Sequence, residues 1–522
     1  MTPLRRSANA DQPERLGWPF SGFTTGLMVT AVAAALFLAS VYWIYPLLRP
    51  CGAGLTSTGD GQCAGVSDGS AQLHPDPGIA AIMAGIHREN TAVEQTPSNT
   101  PPVTIGVLIP LPSPGTDDDY LTAVRHDLEG AQLAQIQANH AQLIGDRPQV
   151  RLVVANSGEN AQHWSTAVSG LIERAPGGSH DQRLVAVVAS GRSLGTTRAA
   201  LDRLTQVSIP VIAARLTADQ LTDAPPSPNV PLARVAPTNR DQAAAAAAAV
   251  KSSASTAMVI QDRNPANIYA DSLGKAFQES FADSAHELVG NETFDGGGEG
   301  VATTMAGIVR DICDTRPDVV FFAGRSNDLN TLVRALPSRN CPQQPVRIIT
   351  GSDAVAFANA VARDEPGLRD ALSAQVTVEY TGLAHPEAWD ADQSAFPQAS
   401  VTALRGPCDQ WCYPRVYPGR DTAEELADGG IIIGFDAVLT AVTAVRDPYA
   451  PNTTPGAVGQ ALARLHGGNL VRGASGYISL SAQGEAINKA VPILKIGPDG
   501  VVSLDRLSAP AGEPCKPRTS PC

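Results

Sequence analysis

LVAVVASGRSLGTT, Leu184 to Thr197, is the stretch from which the fold can be read. The apolar run LVAVV ends in small residues. A serine-bearing turn follows, and TRAALDRLTQV continues at helical spacing. A short apolar run bounded by a turn reads as a buried strand. A strand that opens through a tight turn into a helix is how an α/β sheet presents polar groups to a ligand. Gly191-Arg192-Ser193-Leu194-Gly195 also fits G-x-S-x-G, the nucleophile elbow of an esterase. The surrounding sequence has to separate a binding turn from a catalytic one.

Upstream, VTIGVLIPL (Val103 to Leu111) reads as a strand and LEGAQLAQIQANH (Leu128 to His140) as a helix. VRLVVA (Val150 to Ala155) is the next strand and WSTAVSGLIERA the next helix. Downstream, IPVIA (Ile209 to Ala213) is a fourth short strand. Regular strand–helix alternation predicts right-handed crossovers and a parallel sheet with helices on both faces. A second series repeats the build without repeating the sequence. AAAAAAAVK, YADSLGKAFQESF, MAGIVRDIC and LNTLVRAL read as helices. AMVIQD, DVVFFAG and VRIITGSD read as strands, and HELVGNETF leads into the loop DGGGEG. The expectation is two α/β lobes of similar architecture.

In this order the segments resemble the type I periplasmic binding proteins of the branched-chain amino acid-binding class. IGVLIPL and EGAQLAQIQAN are similar to that family's opening strand and helix, SGRSLGTTRAAL to its serine turn, and IPVIAARLTADQL to its next strand and Thr-bearing turn. ARVAPTNRDQAAA is similar to the crossing into the second lobe, with DVVFFAGRSNDLNTLVRAL and IITGSDA following. GGIIIGFDAVLTAVTAV (Gly429 to Val445) resembles the helix of the "YDA" motif, with Phe435 in place of Tyr. GASGYISLSAQGE (Gly473 to Glu485) resembles the closing segment. The resemblance covers about residues 103–505. CAGVSDGS and HREN, outside it, are similar to segments of actinobacterial membrane-anchored members. What it implies is a two-lobed fold with three hinge crossings, the first at Val235 to Thr238 and the others near 353–360 and 465–475. The implied lobe 1 covers 103–235 and 355–466, and lobe 2 covers 236–354 and 467–505, with a tail at 506–522.

Ligands of such folds sit at loops after the carboxyl ends of strands. The resemblance assigns Ser193 and Thr217 as carboxylate-binding hydroxyls, Tyr269 as the packing tyrosine (with Ala270 where the family has Gly) and Asp353 as partner of a ligand ammonium. Ser190, Arg192, Ala213, Arg215 and Arg325 complete the expected ligand-binding set. The plainer readings are helix caps for Ser193 and Thr217, interlobe packing for Tyr269, a turn for Asp353 and surface positions for the arginines. Two arginines facing the cleft would favour an anionic ligand. The hydrolase alternative takes Ser193 as nucleophile with Asp353 and His385 or His466. No HGG-type oxyanion segment precedes Ser193, and G-x-S-x-G arises readily in a chain with 47 glycines. Phosphate-loop, dinucleotide and H-E-x-x-H motifs are missing, so no cofactor and no metal are expected. Asp117-Asp118-Asp119 lacks a calcium-loop series and reads as a solvated loop.

Composition sets the remaining bounds. Of 522 residues 43% are hydrophobic and 17% charged, which is globular usage. A net charge of -13 argues against nucleic acid as a partner. No charge occurs from Leu16 to Leu48, long enough for a bilayer helix of about 20 residues. Trp18, Trp43 and Tyr45 lie near its ends, and Arg5, Arg6 and Arg15 precede it. The expectation is a cytoplasmic tail (1–20), a single membrane anchor (21–48) and an extracytoplasmic linker with a short helix (49–102), the bulk of the chain lying outside the cell membrane. A cleaved signal peptide would carry a shorter apolar region of roughly 7–15 residues. Cys51, Cys63, Cys313, Cys341, Cys408, Cys412, Cys515 and Cys522 suit disulfides between sequence neighbours in an oxidising compartment. The function expected is capture of a small polar, amino acid-like ligand for an ABC permease, without catalysis. The alternative is a sensing ectodomain working through a membrane signalling partner.

Overall fold

Val103–Ile109 and Leu184–Ala189 are buried at every position, as strands covered on both faces must be. They form the centre of the first of two seven-stranded sheets in the computed structural model. The structure describes residues 51–522 except 53, 117, 142, 144, 223–231, 450–452 and 518–521. The expected anchor at 21–48 and tail at 1–20 lie outside the described residues. Among those described, no helix is long and apolar enough to cross a membrane.

The first sheet contains β1 (Leu55–Ser57), β2 (Cys63–Ser67), β3 (Val103–Ile109), β4 (Val150–Asn156), β5 (Leu184–Ala189), β6 (Val211–Ala213) and β7 (Leu232–Arg234). Its order is β1-β2-β4-β3-β5-β6-β7, parallel from β4 to β7, with β1 and β2 added antiparallel at one edge. Residues 55–67 were expected in a linker loop; they are edge strands of this lobe. The helix Pro77–Gln95, capped by the Asp76 side chain on Ile79 N–H, packs into the same core through Ile79, Ile82, Met83 and Ile86. Residues 55–95 of the expected linker are therefore part of lobe 1. Their short Gly- and Ser-rich strands gave no period-2 signal in the sequence.

The second sheet contains β8 (Thr256–Asp262), β9 (Glu287–Phe294), β10 (Val319–Ala323), β11 (Val346–Thr350) and β12 (Val376–Thr381). After β12 the chain forms a separate small hairpin, β13 (Val471–Gly473) and β14 (Gly476–Ile478), and then adds β15 (Val491–Ile496) and β16 (Val502–Ser508) to the second sheet. The order is β16-β15-β12-β11-β10-β8-β9, parallel from β12 to β9. The segment HELVGNETF, expected to lead into a loop, is the edge strand β9.

The lobe boundaries read from the sequence need correction. Residues 355–381 were expected in lobe 1, but β12 pairs parallel with β11, and Phe357 and Leu368 belong to the lobe 2 core. The second crossing therefore follows β12, where Leu383 and Ala384 join the lobe 1 core. The hairpin β13–β14, expected in lobe 2, packs there too through Val471 and Ile478. The third crossing lies between β14 and β15, and lobe 2 continues through β16 to Ser508. Pairing with a distant strand placed β12, and no local pattern carries that information.

One helix pair anchors the chain between β12 and β13 in the lobe 1 core. Gly430–Val445 lies against Asp118–Ile136 with two glycines facing backbone. A Cβ on Gly130 would sit 2.1 Å from the Ile431 carbonyl oxygen, and one on Gly434 2.3 Å from that of Asp127. Disulfides Cys313–Cys341, Cys408–Cys412 and Cys515–Cys522 join sequence neighbours as expected, and Cys51 and Cys63 are also disulfide-bonded.

Candidate functional site

The carboxyl ends of β5, β6, β8, β10 and β11 open into one cleft of about 740 Å³. Of the expected residues, Arg192, Ser193, Arg215, Thr217, Tyr269, Arg325 and Asp353 line it. Ser190 and Ala213 do not. Ser190 is buried behind the wall and donates its hydroxyl to Asp127 Oδ2 at 2.6 Å, and Ala213 is buried inside β6.

The lobe 1 wall is the serine turn and the helix facing it. The helix Gly195–Gln206 is capped by Leu194, so Ser193 is not a helix cap. Its Oγ instead accepts from the Ala218 N–H at 3.3 Å. Thr217, buried, caps no helix either. The Arg192 guanidinium lies over the Tyr120 ring at 4.0 Å. Arg215 pairs with Asp127 at 3.4 Å. Burial drives the Asp127 carboxyl up, and the charge of Arg215 and the Ser190 hydroxyl restrain it at about 6.

The lobe 2 wall repeats the arginine-over-tyrosine arrangement. Arg325 lies over the Tyr269 ring at 4.7 Å and bonds Asp353 Oδ1 at 3.2 Å. Asp353 Oδ2 accepts from the Ser326 N–H at 2.9 Å, and the Tyr269 hydroxyl accepts from the Asp353 N–H at 3.3 Å. Burial opposes ionisation of Asp353, but Arg325 and Arg192 outweigh it and hold the carboxyl below its usual range. Asp353 is thus already committed to protein partners.

The two walls touch. Arg325 Nη2 donates to the Ser193 carbonyl at 3.2 Å, and Arg363 forms a two-pronged bond with the Asp119 carboxylate. Asp119, expected in a solvated loop, stands in the first turn of Asp118–Ile136 and carries this bridge. Sequence reading also missed Tyr120, Asp127, Asp262 and Asn330 as cleft residues. Asp262 is the last residue of β8, one position before the loop that the strand-end signal picks out. Tyr120 and Asp127 had no such signal, because their helix was expected to begin only at Leu128.

The esterase alternative does not assemble. No histidine lines the cleft among the described residues. His385 is buried with Nδ1 accepting from Glu387 N–H, and His466 is exposed beside Gly467.

Two lobes of mixed α/β sheet, crossed three times by the chain and closing on a polar cleft, define a solute-binding architecture. Residues 102–496 match the family described as "Periplasmic binding protein", and the chain belongs to it. No curated protein matches the chain in sequence. Among solved structures it is similar to a leucine-binding protein from Thermotoga maritima (17% identity, TM-score 0.55, covering 78% of this chain and 98% of that one). It is also similar to a branched-chain amino acid transporter substrate-binding protein from Streptococcus pneumoniae in complex with isoleucine (17%, 0.54, 79% and 99%). A solute-binding protein from R. palustris in complex with benzoate is a third (16%, 0.53, 80% and 99%). At these identities the likeness speaks for the fold.

Proposed function

We propose that the protein captures a small, amino acid-like solute between its lobes and passes it to an ABC permease. The observation that carries this reading is the chemistry of the facing walls. On one side are the buried hydroxyls Ser193 and Thr217 beside the N-terminus of Gly195–Gln206, whose backbone N–H groups suit a carboxylate. On the other is Asp328, which suits an ammonium group. Burial and the neighbouring Asp262 push its carboxyl up to about 6. A zwitterion spanning the cleft satisfies both walls and favours the closed arrangement of the lobes.

Solved relatives of the same fold that are named for leucine or isoleucine support this class of ligand. The uncharged stretch at Leu16–Leu48 supports anchoring of the protein by one N-terminal helix, with the lobes outside the membrane. The eight disulfide-bonded cysteines agree with an oxidising compartment.

The test is a thermal-shift and calorimetric screen with amino acids, amides, small acids and sugars. A ligand at 100 times its Kd stabilises by about 2.7 kcal/mol. Tyr269→Ala should weaken whatever binds. Absence of any shift across the panel would overturn the reading. For the anchor, the protein should sediment with membranes and be released only by detergent; recovery in a soluble fraction would refute it.

A further inference from the structure

Three expected arginines face the cleft, which alone would suggest an anionic ligand. The structure removes that suggestion, because every guanidinium in the cleft is already matched by acid or ring. Arg215 pairs with Asp127, Arg325 with Asp353, Arg363 with Asp119 and Glu365, and Arg192 lies over Tyr120 with Asp353 nearby.

The lobe 2 end of the cleft shows the opposite balance. Asp262 and Asp328 line it, and no guanidinium or ammonium forms an ion pair with either among the described residues. Asp262 is buried, and its carboxylate is fixed by the N–H groups of Asn264 and Gly296 at 2.9 Å and by Asn267 Nδ2 at 2.7 Å. Gly296 keeps the space beside the two acids open. A Cβ built there would lie 2.8 Å from Asp328 Oδ2 and 2.9 Å from Asp262 Oδ2. Asn330 also lines this end of the cleft, with 7% of the residue exposed.

We propose that this end of the cleft takes a second cationic group, so that the preferred ligand is a basic amino acid with net positive charge and not a neutral branched-chain one. The proposal rests on the amino acid-like reading given above. One acid answers the α-ammonium. The second acid answers the donors of a guanidinium or side-chain ammonium, while the α-carboxylate lies on the Ser193 wall. The charge of Asp262 opposes ionisation of Asp328, and an arriving cation relieves that opposition.

The experiment is titration calorimetry on the full-length protein with L-arginine, L-lysine, L-leucine, L-isoleucine, L-glutamate, benzoate and calcium chloride. Arginine or lysine should bind at least ten-fold tighter than leucine. Gly296→Ala, which puts a methyl group against both carboxylates at a backbone conformation open to any residue, should cost arginine at least ten-fold. Asp328→Asn should do the same. Leucine or isoleucine binding as tightly as arginine would overturn the proposal and leave solute capture standing. So would glutamate or benzoate binding tightest, and so would calcium binding that blocks arginine. Unchanged arginine affinity in both variants would also overturn it. If nothing in the series binds, capture of an amino acid-like solute falls, and this proposal falls with it.

Discussion

Arg420→Ala should loosen the segment around 413–420 that clasps the helix Asp118–Ile136. Glu129 is fully buried, and its carboxylate accepts the Tyr413 hydroxyl at 2.8 Å and the Arg420 guanidinium, with Arg125 farther off at 3.9 Å. These bonds tie the chain around 413–420 to the helix Asp118–Ile136. Removing one partner of a buried pair costs about 3–5 kcal/mol, because the remaining charge is stranded. Arg420 keeps 28% of its side chain exposed, so water can reach that end of the pair, and we reduce the figure to about 2 kcal/mol. The assay is native-state hydrogen exchange of the amides in 413–428. A loss of about 2 kcal/mol accelerates local opening about 30-fold. The double variant Glu129→Gln with Arg420→Met should recover most of it, since matched neutral groups carry no stranded charge. Acceleration below two-fold in Arg420→Ala would refute the assignment of this pair as the clasp.

Three further outcomes follow from other groups. His126 is buried between Glu425 and Asp428, at 2.8 and 2.9 Å. Burial works against its charge, but Asp428 and Glu425 prevail and push its pKa up to about 10. A folded-state pKa raised above the unfolded value gives stability that is complete below about pH 6.5 and is lost as pH rises toward 10. Urea midpoints should fall over that window, and His126→Gln should flatten the slope; a wild-type midpoint constant from pH 6.5 to 10 would contradict this. Cys313–Cys341 closes a loop of 28 residues around β10, so Cys313→Ser with Cys341→Ser should cost lobe 2 about 3.5 kcal/mol, read by denaturant unfolding; a loss under 1 kcal/mol would show that strain cancels the constraint. Arg363→Ala should shift the lobes toward an open form by less than about 1 kcal/mol, because that side chain is half exposed; small-angle scattering would show the increase in radius, and no change would exclude the bridge as a latch.

The centres of both sheets were legible because strands buried on two faces read as unbroken apolar runs. VTIGVLI and LVAVVA have no other reading at that length. The strand-end rule and the family resemblance together point to seven residues of the cleft. The missing parts are those set by partners distant in sequence. β12 takes its lobe from pairing with β11, and β1 and β2 are too short and small-residued to announce a strand. Asp119, Tyr120 and Asp127 reach the cleft from a helix whose polar first turns read as loop. The charge balance was invisible for the same reason. Arg192, Arg215 and Arg325 announce positive charge in the sequence, and only the folded chain shows which acids answer them.

The contacts of Arg325 with the Ser193 carbonyl and of Arg363 with Asp119 have a kinetic meaning. Both join the lobes through the protein's own groups, so the closed arrangement holds contacts that do not involve cargo. A solute then enters only in the intervals when these contacts are broken. Uptake becomes a gated process: its rate should level off at high solute concentration at the frequency of opening. Salt, which weakens the half-exposed bridge, should raise that ceiling. Release of a bound solute obeys the same gate.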